Sequence, residues 1–312
     1  MVSGLLIHPD ELTKVWIDRM AKNGITVLGI HPAGGKQAVA SLTDLLNKLQ
    51  TPQYRELIDY AKSKGLQIEY EFHAAGYLLP RDLFEQHPEY FRVDPQGERT
   101  SDWNFCVSNE TALQLVVERA MQVIKSLYGS RPCYYLWLDD RRGSQCYCEK
   151  CQKLSGSDQQ MLVINAIARE LAKWDSTAKI AYLAYMDNVI PPTIKPESNV
   201  FLEYVPFEKY VSKDDSEKIR LEQESFDQLI RIFGQQDMKV LEYWYDNSMF
   251  SKWTKPPKEF FLDKAAMEKD IAFYKARGAQ QIASFACYLG PDYEALYGEP
   301  DITPFAKAVN ND

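Results

Sequence analysis

Residues 66–73 read Leu-Gln-Ile-Glu-Tyr-Glu-Phe-His, an alternation of apolar and polar side chains that predicts a β-strand. Successive side chains of a strand point to opposite faces. The apolar set is predicted to pack against helices and consists of Ile68, Tyr70 and Phe72. The polar set is predicted to line the inside of a barrel and consists of Glu69, Glu71 and His73. Buried carboxylates are costly, so this strand indicates a function for them. The alternative is that the inward carboxylates only balance buried arginines or cap helices.

Similar segments alternate with helical patterns along the chain, as in βαβ units. The predicted strands are residues 4–7, 25–30, 66–72, 133–138, 179–184, 200–204, 239–244 and 281–286. The predicted helices are residues 10–22, 38–49, 53–64, 110–127, 158–174, 216–233 and 258–277. Eight strands with helical crossovers are the count for a (β/α)8 TIM barrel, expected here as one domain over residues 1–312. A doubly wound parallel sheet is the alternative.

Two long loops and one irregular connection interrupt this alternation. Residues 74–108 follow strand three, and a second long loop follows strand four. The connection 186–198 contains Pro191, Pro192 and Pro196, so it cannot form a regular helix.

Polar residues at the ends of the strands favour the barrel, because a barrel builds its active site from the carboxyl ends of several strands. These residues are His31, His73, Asp139, Glu203, Glu242 and Asp246. Alternation predicts that two further sets face the barrel axis: Tyr135, Trp137 and Asp139 on strand four, and Glu242, Trp244 and Asp246 on strand seven. Tyr243 and Tyr245 are then predicted to face the helices. The upper interior is therefore expected to be acidic and aromatic.

The composition limits the possible partners. The 44 acidic and 36 basic residues give a net charge of −8, which disfavours binding to nucleic acid or to an anionic membrane. The sequence contains no apolar run of about 18 residues, and its start does not resemble a signal peptide, so a cytoplasmic protein is expected. Acidic and aromatic side chains favour a carbohydrate over a phosphate, which prefers backbone N–H groups, Lys and Arg.

Three cysteines lie within six positions in the loop after strand four, in the pattern C-x-C-x-x-C: Cys146, Cys148 and Cys151. This spacing is typical of a tetrahedral thiolate metal site, which needs tight turns between its ligands. Cys106, at the end of the other long loop, is the predicted fourth ligand. The expected metal is one structural zinc that joins the two loops; a disulfide or free thiols are the alternatives. No organic cofactor is expected.

The adjacent pair Asp139 and Asp140 is the predicted catalytic centre. At the break between strand and loop both carboxylates can enter one pocket, where coupling raises the pKa of one and keeps it protonated, as a general acid requires. The alternative is a helix cap or an ion pair with Arg141 or Arg142. The predicted substrate-binding residues are His31, His73, Glu71, Glu203, Trp244, Asp246 and Asn247.

Several motifs together resemble a bacterial family of barrel proteins, domain of unknown function 4838. They are His87-Pro88-Glu89-Tyr90-Phe91, Gly97-Glu98-Arg99, Phe105-Cys106-Val107-Ser108-Asn109, and the acidic end of strand four followed by the cysteine cluster. The resemblance covers about residues 1–300 and implies a glycoside-hydrolase-like barrel. It implies the fold more firmly than an activity, because one fold can host many functions.

A more distant resemblance concerns mechanism. Leu138-Asp139-Asp140 and the segment 244–247 are similar to the paired aspartates and the Trp-Asp-Asn segment of glycoside hydrolase family 84, and family 20 is related. The resemblance implies that Asp139 orients a substrate acetamido group and that Asp140 is the general acid and base. An extra tyrosine splits Trp244 from Asp246, and neither hydrolase family has the cysteine cluster.

The sequence thus favours a hydrolase of a neutral or N-acetylated hexoside that retains configuration with assistance from the substrate. A second mechanism uses a carboxylate of strand four as acid and base and Glu242 as nucleophile or base. A barrel that binds a glycan without cleaving it is the alternative from another functional class. The sequence makes no prediction of oligomeric state.

Overall fold

Eight parallel strands form a closed barrel in the computed structural model, which describes residues 1–310. The strands are β1 Val2–Ile7, β2 Val27–Ile30, β3 Gln67–His73, β4 Cys133–Trp137, β5 Lys179–Ala184, β6 Val200–Tyr204, β7 Lys239–Glu242 and β8 Gln281–Phe285. Each strand pairs with its neighbours in sequence, and β1 pairs with β8. The predicted single (β/α)8 TIM barrel is confirmed.

The helices cover the outside of the barrel and the ends of its loops. They are α1 Lys14–Lys22, α2 Ala38–Lys48, α3 Pro52–Ser63, α4 Ala75–Leu78, α5 Glu110–Ser126, α6 Gly156–Trp174, α7 Glu208–Val211, α8 Ser216–Phe233, α9 Asn247–Phe250, α10 Lys264–Ala276, α11 Pro291–Tyr297 and α12 Thr303–Asn310. Side chains of Thr13, Thr51, Asn109, Ser155 and Asp215 accept a backbone N–H bond at the start of long helices, which explains where these helices begin. Within residues 1–310 no helix is long and apolar enough to cross a membrane.

The predicted elements agree with these bounds to within a few residues, with two main differences. The helix predicted over 258–277 begins only at Lys264, because Asp263 caps its first turn. The strand predicted over 239–244 ends at Glu242. The connection 186–198 holds a short 3-10 turn, Met186–Val189, and no α-helix.

The barrel interior contains an apolar layer and a charged layer. Apolar side chains from the inner faces, among them Leu6, Tyr135 and Trp137, pack together. Beside them the fully buried ammonium of Lys239 contacts Glu71 and lies 3.1 Å from Glu69 Oε2 and 3.2 Å from Glu203 Oε1. The Lys239 ammonium thus offsets part of the cost of burying three carboxyl groups.

Alternation on β3 and β4 is as the sequence predicts. The outer set Ile68, Tyr70 and Phe72 belongs to the core between barrel and helices, and Glu69 and Glu71 face the axis with Lys239. On β4 the inner residues Tyr135 and Trp137 donate hydrogen bonds of 2.8 Å to Glu69 and Glu203. The hydrogen-bonded strands therefore fix which side chains can reach the upper end of the barrel.

Candidate active site at the carboxyl ends of the strands

A cavity of about 580 Å³ opens at the carboxyl ends of the strands. All eight strands or the loops that follow them contribute to its wall. The main lining residues are His8, His31, Gly34, His73, Trp137, Asp140, Tyr185, Phe207, Tyr243, Asp246, Trp253, Phe285 and Tyr288. This wall combines carboxylates, imidazoles and aromatic rings, which is the composition that the sequence predicts for the upper interior.

Asp140 reaches this cavity directly from the end of β4. Its Oδ1 is buried, and among residues 1–310 no group forms a hydrogen bond with it. The close approach of Gly34 brings Asp140 near His73, since a Cβ on Gly34 would lie 2.9 Å from His73 Cδ2 and 3.9 Å from Asp140 Oδ2. A buried carboxylate oxygen without a partner is available to a ligand in the cavity.

Two tyrosines connect Asp140 to the opposite wall. Burial raises the pKa of Tyr185 well above its usual value, and the charge of Asp140 and a hydrogen bond with it add to this effect. Burial also raises the pKa of Tyr243, with a further contribution from Tyr185 and Asp140. Both phenols therefore stay protonated and can donate hydrogen bonds toward the carboxylate and a ligand.

Asp139 points elsewhere, so the expectation that both aspartates enter one pocket is wrong. Its Oδ2 pairs with Arg81 at 2.8 Å, and its backbone N–H donates to Asn104 Oδ1 at 2.8 Å. It lines a separate cavity of about 40 Å³. Burial raises the pKa of Asp139, although the charge of Arg81 opposes this. The two carboxylates are separated because Asp139 forms an ion pair with Arg81, whereas Asp140 lines the large cavity.

Strand seven departs from the prediction because its inner face carries the other set of residues. Lys239 and Leu241 point into the barrel, so Glu242 points toward the helices. Its carboxylate accepts hydrogen bonds from Tyr210 at 2.7 Å and Tyr274 at 2.5 Å and contacts Lys209. Glu242 does not line the large cavity. The predicted inward direction of this residue is wrong, because Lys209 on the outside balances its charge.

Trp244 follows the same outward course and is 6% exposed. Its indole N–H donates to Asp270 at 3.1 Å, and its ring packs near Tyr274 and Phe305. Tyr243, predicted to face the helices, instead lines the cavity. The predicted inward direction of Trp244 is therefore also wrong, since the residue belongs to the outer core.

Asp246 and Asn247 lie after the strand, where alternation no longer applies. Asp246 lines the cavity, and its Oδ1 accepts the Ser248 N–H at 3.0 Å at the start of α9. Burial raises the pKa of Asp246. Asn247 is buried and donates to the carbonyls of Lys258 at 2.9 Å and Tyr288 at 3.2 Å. Asp246 is thus the carboxylate of strand seven that enters the cavity, whereas Asn247 joins two loops.

Glu71 and Glu203 lie below the cavity and not in its wall. Both contact Lys239, and Trp137 donates to Glu203 at 2.8 Å. Burial raises the pKa of Glu71 well above its usual value, although Lys239 opposes this. These two glutamates support the cavity floor through Trp137 and Lys239, and a ligand in the cavity does not reach them directly.

His31 and His73 line the cavity as predicted, and His8 joins them. His8 follows β1 as His31 follows β2, so its position after an apolar strand was the signal that could have identified it. Tyr185, Tyr243 and Trp253 were also missed. Aromatic residues near a strand end can pack in the core or line a cavity, and alternation cannot distinguish these cases beyond the last hydrogen-bonded residue.

The four predicted cysteine ligands meet in one cluster. The Sγ atoms of Cys106, Cys146, Cys148 and Cys151 all lie within 4.8 Å of one another. Two of these distances are 3.6 Å, from Cys106 to Cys148, and 3.9 Å, from Cys106 to Cys151. A tetrahedral site with metal–sulfur bonds of about 2.3 Å places its sulfurs about 3.8 Å apart. The cluster therefore fits a single metal ion.

The surroundings of the thiol cluster also suit thiolates. Cys146 Sγ accepts the backbone N–H groups of Val93 at 3.3 Å and Cys148 at 3.5 Å, and Ser108 Oγ lies 2.9 Å from Cys151 Sγ. Such donors stabilise negative charge on a ligating sulfur. The cluster joins the loop between β3 and α5 to the loop after β4, as the sequence predicts.

Comparison with solved structures identifies the fold. A β-N-acetylhexosaminidase from Bacteroides fragilis is similar with a TM-score of 0.61 and 14% identity, over 98% of this chain and 65% of that one. An endo-glycoceramidase II from Rhodococcus is similar with a TM-score of 0.59 and 10% identity, over 99% and 78%. A β-galactosidase from Marinomonas ef1 is similar with a TM-score of 0.54 and 12% identity, over 91% of this chain and 54% of that one. The fold is that of a glycoside-hydrolase-like TIM barrel.

The family follows from the sequence profile of domain of unknown function DUF4838, which matches residues 43–288. The chain belongs to this family. It spans 65% of the length of the hexosaminidase and 54% of that of the β-galactosidase. No curated protein matches the sequence.

Proposed function

We propose that the protein is a glycoside hydrolase that cleaves a neutral or N-acetylated hexoside in the large cavity. One observation carries the proposal: Asp140 enters that cavity with a buried Oδ1 to which no group of residues 1–310 donates. A carboxyl group at the catalytic end of a TIM barrel, next to His73 and two protonated tyrosines, is placed for acid and base catalysis.

The chemistry assigns Asp140 the proton transfers. Asp140 donates a proton to the glycosidic oxygen while the bond to the anomeric carbon breaks and Asp246 forms a bond to that carbon. The Asp140 carboxylate then removes a proton from the water that displaces Asp246. Asp246 supplies the second carboxylate, on the face of the sugar opposite the leaving group. It takes the place predicted for Glu242, because Glu242 is bound to Lys209 outside the cavity. This double displacement retains the configuration at the anomeric carbon.

The aromatic wall suits the apolar faces of sugar rings. Trp137, Tyr243 and Phe285 lie deep in the cavity, and Trp253 lies at its rim with 67% of its surface exposed. Flat rings bury apolar C–H surface without requiring a charged ligand. We therefore assign the three deep aromatic rings to the glycon, which is the sugar released with the new reducing end. We assign Trp253 to the leaving group.

Substrate assistance is the second candidate mechanism, because Asp139 directly precedes the proposed acid in the chain. Arg81 and Asn104 fix Asp139 from two sides next to the proposed acid. In this mechanism the acetamido oxygen of the substrate attacks the anomeric carbon, and Asp139 orients that group. The mechanism requires Asp139 to exchange its bond with Arg81 for a bond with the substrate.

We also propose that the thiol cluster binds one structural zinc ion. Four sulfur ligands leave no position for a reacting water, so the metal would hold Cys106 and the loop of Cys146, Cys148 and Cys151 together and take no part in catalysis. Two long loops are expensive to order, and a shared metal offsets that cost.

A panel of aryl glycosides tests the activity. The panel contains glucosides, galactosides and N-acetylglucosaminides, assayed with wild type, Asp140→Asn, Asp246→Asn and Asp139→Asn. We expect turnover by wild type of at least one glycoside and its loss in Asp140→Asn. Asp44→Asn, an exposed change on α2, is the matched control and should keep full activity.

Two reagents separate the mechanisms. If Asp246 is the nucleophile, azide restores turnover of Asp246→Gly and yields a glycosyl azide. If the substrate assists, Asp139→Asn loses N-acetylhexosaminide turnover and a thiazoline mimic of the cyclised intermediate inhibits strongly. Binding of sugars without hydrolysis of any glycoside would instead support the carbohydrate-binding barrel.

A further inference from the structure

A row of three imidazoles forms one side of the large cavity. His8, His31 and His73, called here the histidine row, follow the neighbouring strands β1, β2 and β3. The ring centres of His8 and His31 are 5.9 Å apart, and those of His31 and His73 are 6.5 Å apart. The proposed mechanism gives this row no role in proton transfer.

Each ring of the histidine row is anchored in the same way. His8 Nδ1 lies 2.7 Å from the carbonyl of His31, His31 Nδ1 lies 2.8 Å from that of Glu71, and His73 Nδ1 lies 2.6 Å from that of Leu138. Each imidazole thus reaches a carbonyl on the next strand or at its end.

These bonds determine which nitrogen carries the proton. A carbonyl oxygen only accepts hydrogen bonds, so Nδ1 must be the donor in all three rings. In a neutral ring Nε2 then has no proton and acts as an acceptor. Burial lowers the pKa of both His8 and His31, which keeps these two rings neutral at pH 7. The row therefore offers hydrogen-bond acceptors at fixed positions.

The chemistry of the cavity distinguishes three ligands for such a row. A single metal ion does not fit, because among residues 1–310 the one set of ligand atoms within metal-binding distance is the thiol cluster. An anion does not fit, because the acceptors of the row and the carboxylates of Asp140 and Asp246 share the wall, and the one cation among the lining residues, Lys36, is solvent-exposed. A neutral polyol fits, since its hydroxyls donate to the acceptors.

We propose that the histidine row is the recognition wall for an uncharged glycon, in which hydroxyl groups of the sugar donate to Nε2 of His8, His31 and His73. This inference rests on the proposed function for the orientation of the sugar, with the glycon on the side of β1 to β3. It adds a specificity to the neutral or N-acetylated hexosides of the proposed function: uronic acids are rejected, because their carboxylate would face the acceptors of the row and the carboxylates of Asp140 and Asp246.

The first test examines the tautomers without any ligand. Long-range ¹H–¹⁵N NMR spectra of the full chain labelled with ¹⁵N-histidine report the protonated nitrogen of each ring. We expect Nδ1–H for all three histidines of the row. The fourth histidine, His87, stacks on Tyr90 at the surface and is an internal reference. An Nε2–H signal from any ring of the row overturns the proposal.

The second test measures binding with three probes: methyl β-glucoside, methyl N-acetyl-β-glucosaminide and methyl β-glucuronide. We expect at least one uncharged probe to bind and to shift the Nε2 signals of the row, while the glucuronide binds at least about tenfold more weakly. Binding of the glucuronide with equal or higher affinity overturns the proposal. So does an absence of binding by both uncharged probes, or binding that leaves the Nε2 signals unchanged.

Matched variants localise the effect. In His31→Asn and His8→Asn the amide N–H can replace Nδ1–H, but nothing replaces Nε2. Each should bind the uncharged probe about tenfold more weakly. His87→Asn is the control and should bind like wild type. Unchanged binding by both row variants overturns the proposal. If a variant does not fold, the spectra and titrations of wild type still decide.

The outcome also separates this inference from the proposed hydrolysis. Binding of uncharged sugars by the row without turnover of any glycoside refutes the hydrolase and supports the recognition wall. Turnover that depends on Asp140 but keeps its KM and kcat in His8→Asn and His31→Asn supports the hydrolase and refutes the wall.

Discussion

The ends of β4 and β7 carry similar residues, yet the barrel uses them differently. Each strand leads to carboxylates and aromatic rings, at residues 137–140 on β4 and 242–246 on β7. On β4 the inner face continues to Trp137, and Asp140 then enters the cavity. On β7 the last paired residue, Glu242, faces the helices, and the cavity receives Tyr243 and Asp246.

The difference shows what decides the direction of a polar side chain. Alternation holds only while a strand is paired, and it leaves open which of the two sets faces inward. Partner charges settle that choice: Lys239 is balanced inside by the glutamates of β3 and β6, and Glu242 is balanced outside by Lys209. A buried carboxylate with a full set of donors supports the fold, whereas one without them is available for chemistry.

Asp140→Asn should produce the largest effect. Removing a general acid typically lowers the rate by a factor of about 10²–10⁴. The fold should persist, because no group of residues 1–310 forms a hydrogen bond with Asp140 Oδ1. Turnover of the best aryl glycoside, together with thermal unfolding, checks both parts. A variant that keeps wild-type turnover would remove Asp140 from the mechanism.

Loss of the proposed zinc ion should increase the mobility of the loops at the end of β4 but not of those at the end of β7. Cys106 and Cys146 lie two residues from Asn104 and Ser144, which hydrogen-bond each other at 2.8 Å, and Asn104 also holds the N–H of Asp139. We expect about one zinc per chain, faster hydrogen exchange in residues 91–109 and 143–155 after chelation, and no change in residues 243–258.

Cys148→Ser should reproduce the effect of chelation, and Cys133→Ser, at the opposite end of β4, should keep the metal. Elemental analysis and hydrogen exchange by mass spectrometry measure both. Less than about 0.2 zinc per chain in wild type purified without chelator would contradict the site.

Glu242→Gln should destabilise the protein without lowering the proposed turnover by its folded form. The amide can no longer accept from Lys209, Tyr210 and Tyr274 together, and breaking a buried ion pair costs several kcal/mol. Because Lys209 keeps Asp270 as a partner, we expect a loss of roughly 2–4 kcal/mol in the free energy of unfolding. Urea denaturation measures it. If the variant loses turnover but keeps its stability, Glu242 has a catalytic role after all.

Two neighbouring glycines provide the smallest and most specific test. Gly34 has an ordinary φ of −87°, but a Cβ there would lie 2.9 Å from His73, whose ring is held by the Leu138 carbonyl. Gly34→Ala should therefore lower kcat/KM by roughly tenfold with little loss of stability.

Gly35 is the matched contrast, because its φ is +58° and a Cβ would meet no atom of residues 1–310 within 4 Å. Gly35→Ala should cost about 1 kcal/mol of stability and leave KM unchanged. Steady-state kinetics and urea denaturation of both variants check this pair. Equal effects on KM would show that the space between His73 and Asp140 does not matter to the substrate.

The barrel, the inward glutamates of β3 and the meeting of four cysteines could all be predicted from the sequence. These features depend on local periodicity and on thiol chemistry, both of which are readable along the chain: apolar runs alternate with helices, and three cysteines crowd into six positions. The separation of Cys106 from the other three did not hide it, because both long loops leave neighbouring strands on the same side.

Which carboxylates reach the cavity depends on contacts between residues far apart in the sequence. Asp139 and Asp140 are adjacent in sequence, but Arg81, 58 residues away from Asp139, takes one of them. Glu242 and Asp246 are four positions apart, but Lys209 and Tyr274 hold the first outside. His8 joins the site because the His31 carbonyl orients its ring. Local pattern sets the strand, whereas distant charges and backbone carbonyls set the direction of each side chain at its end.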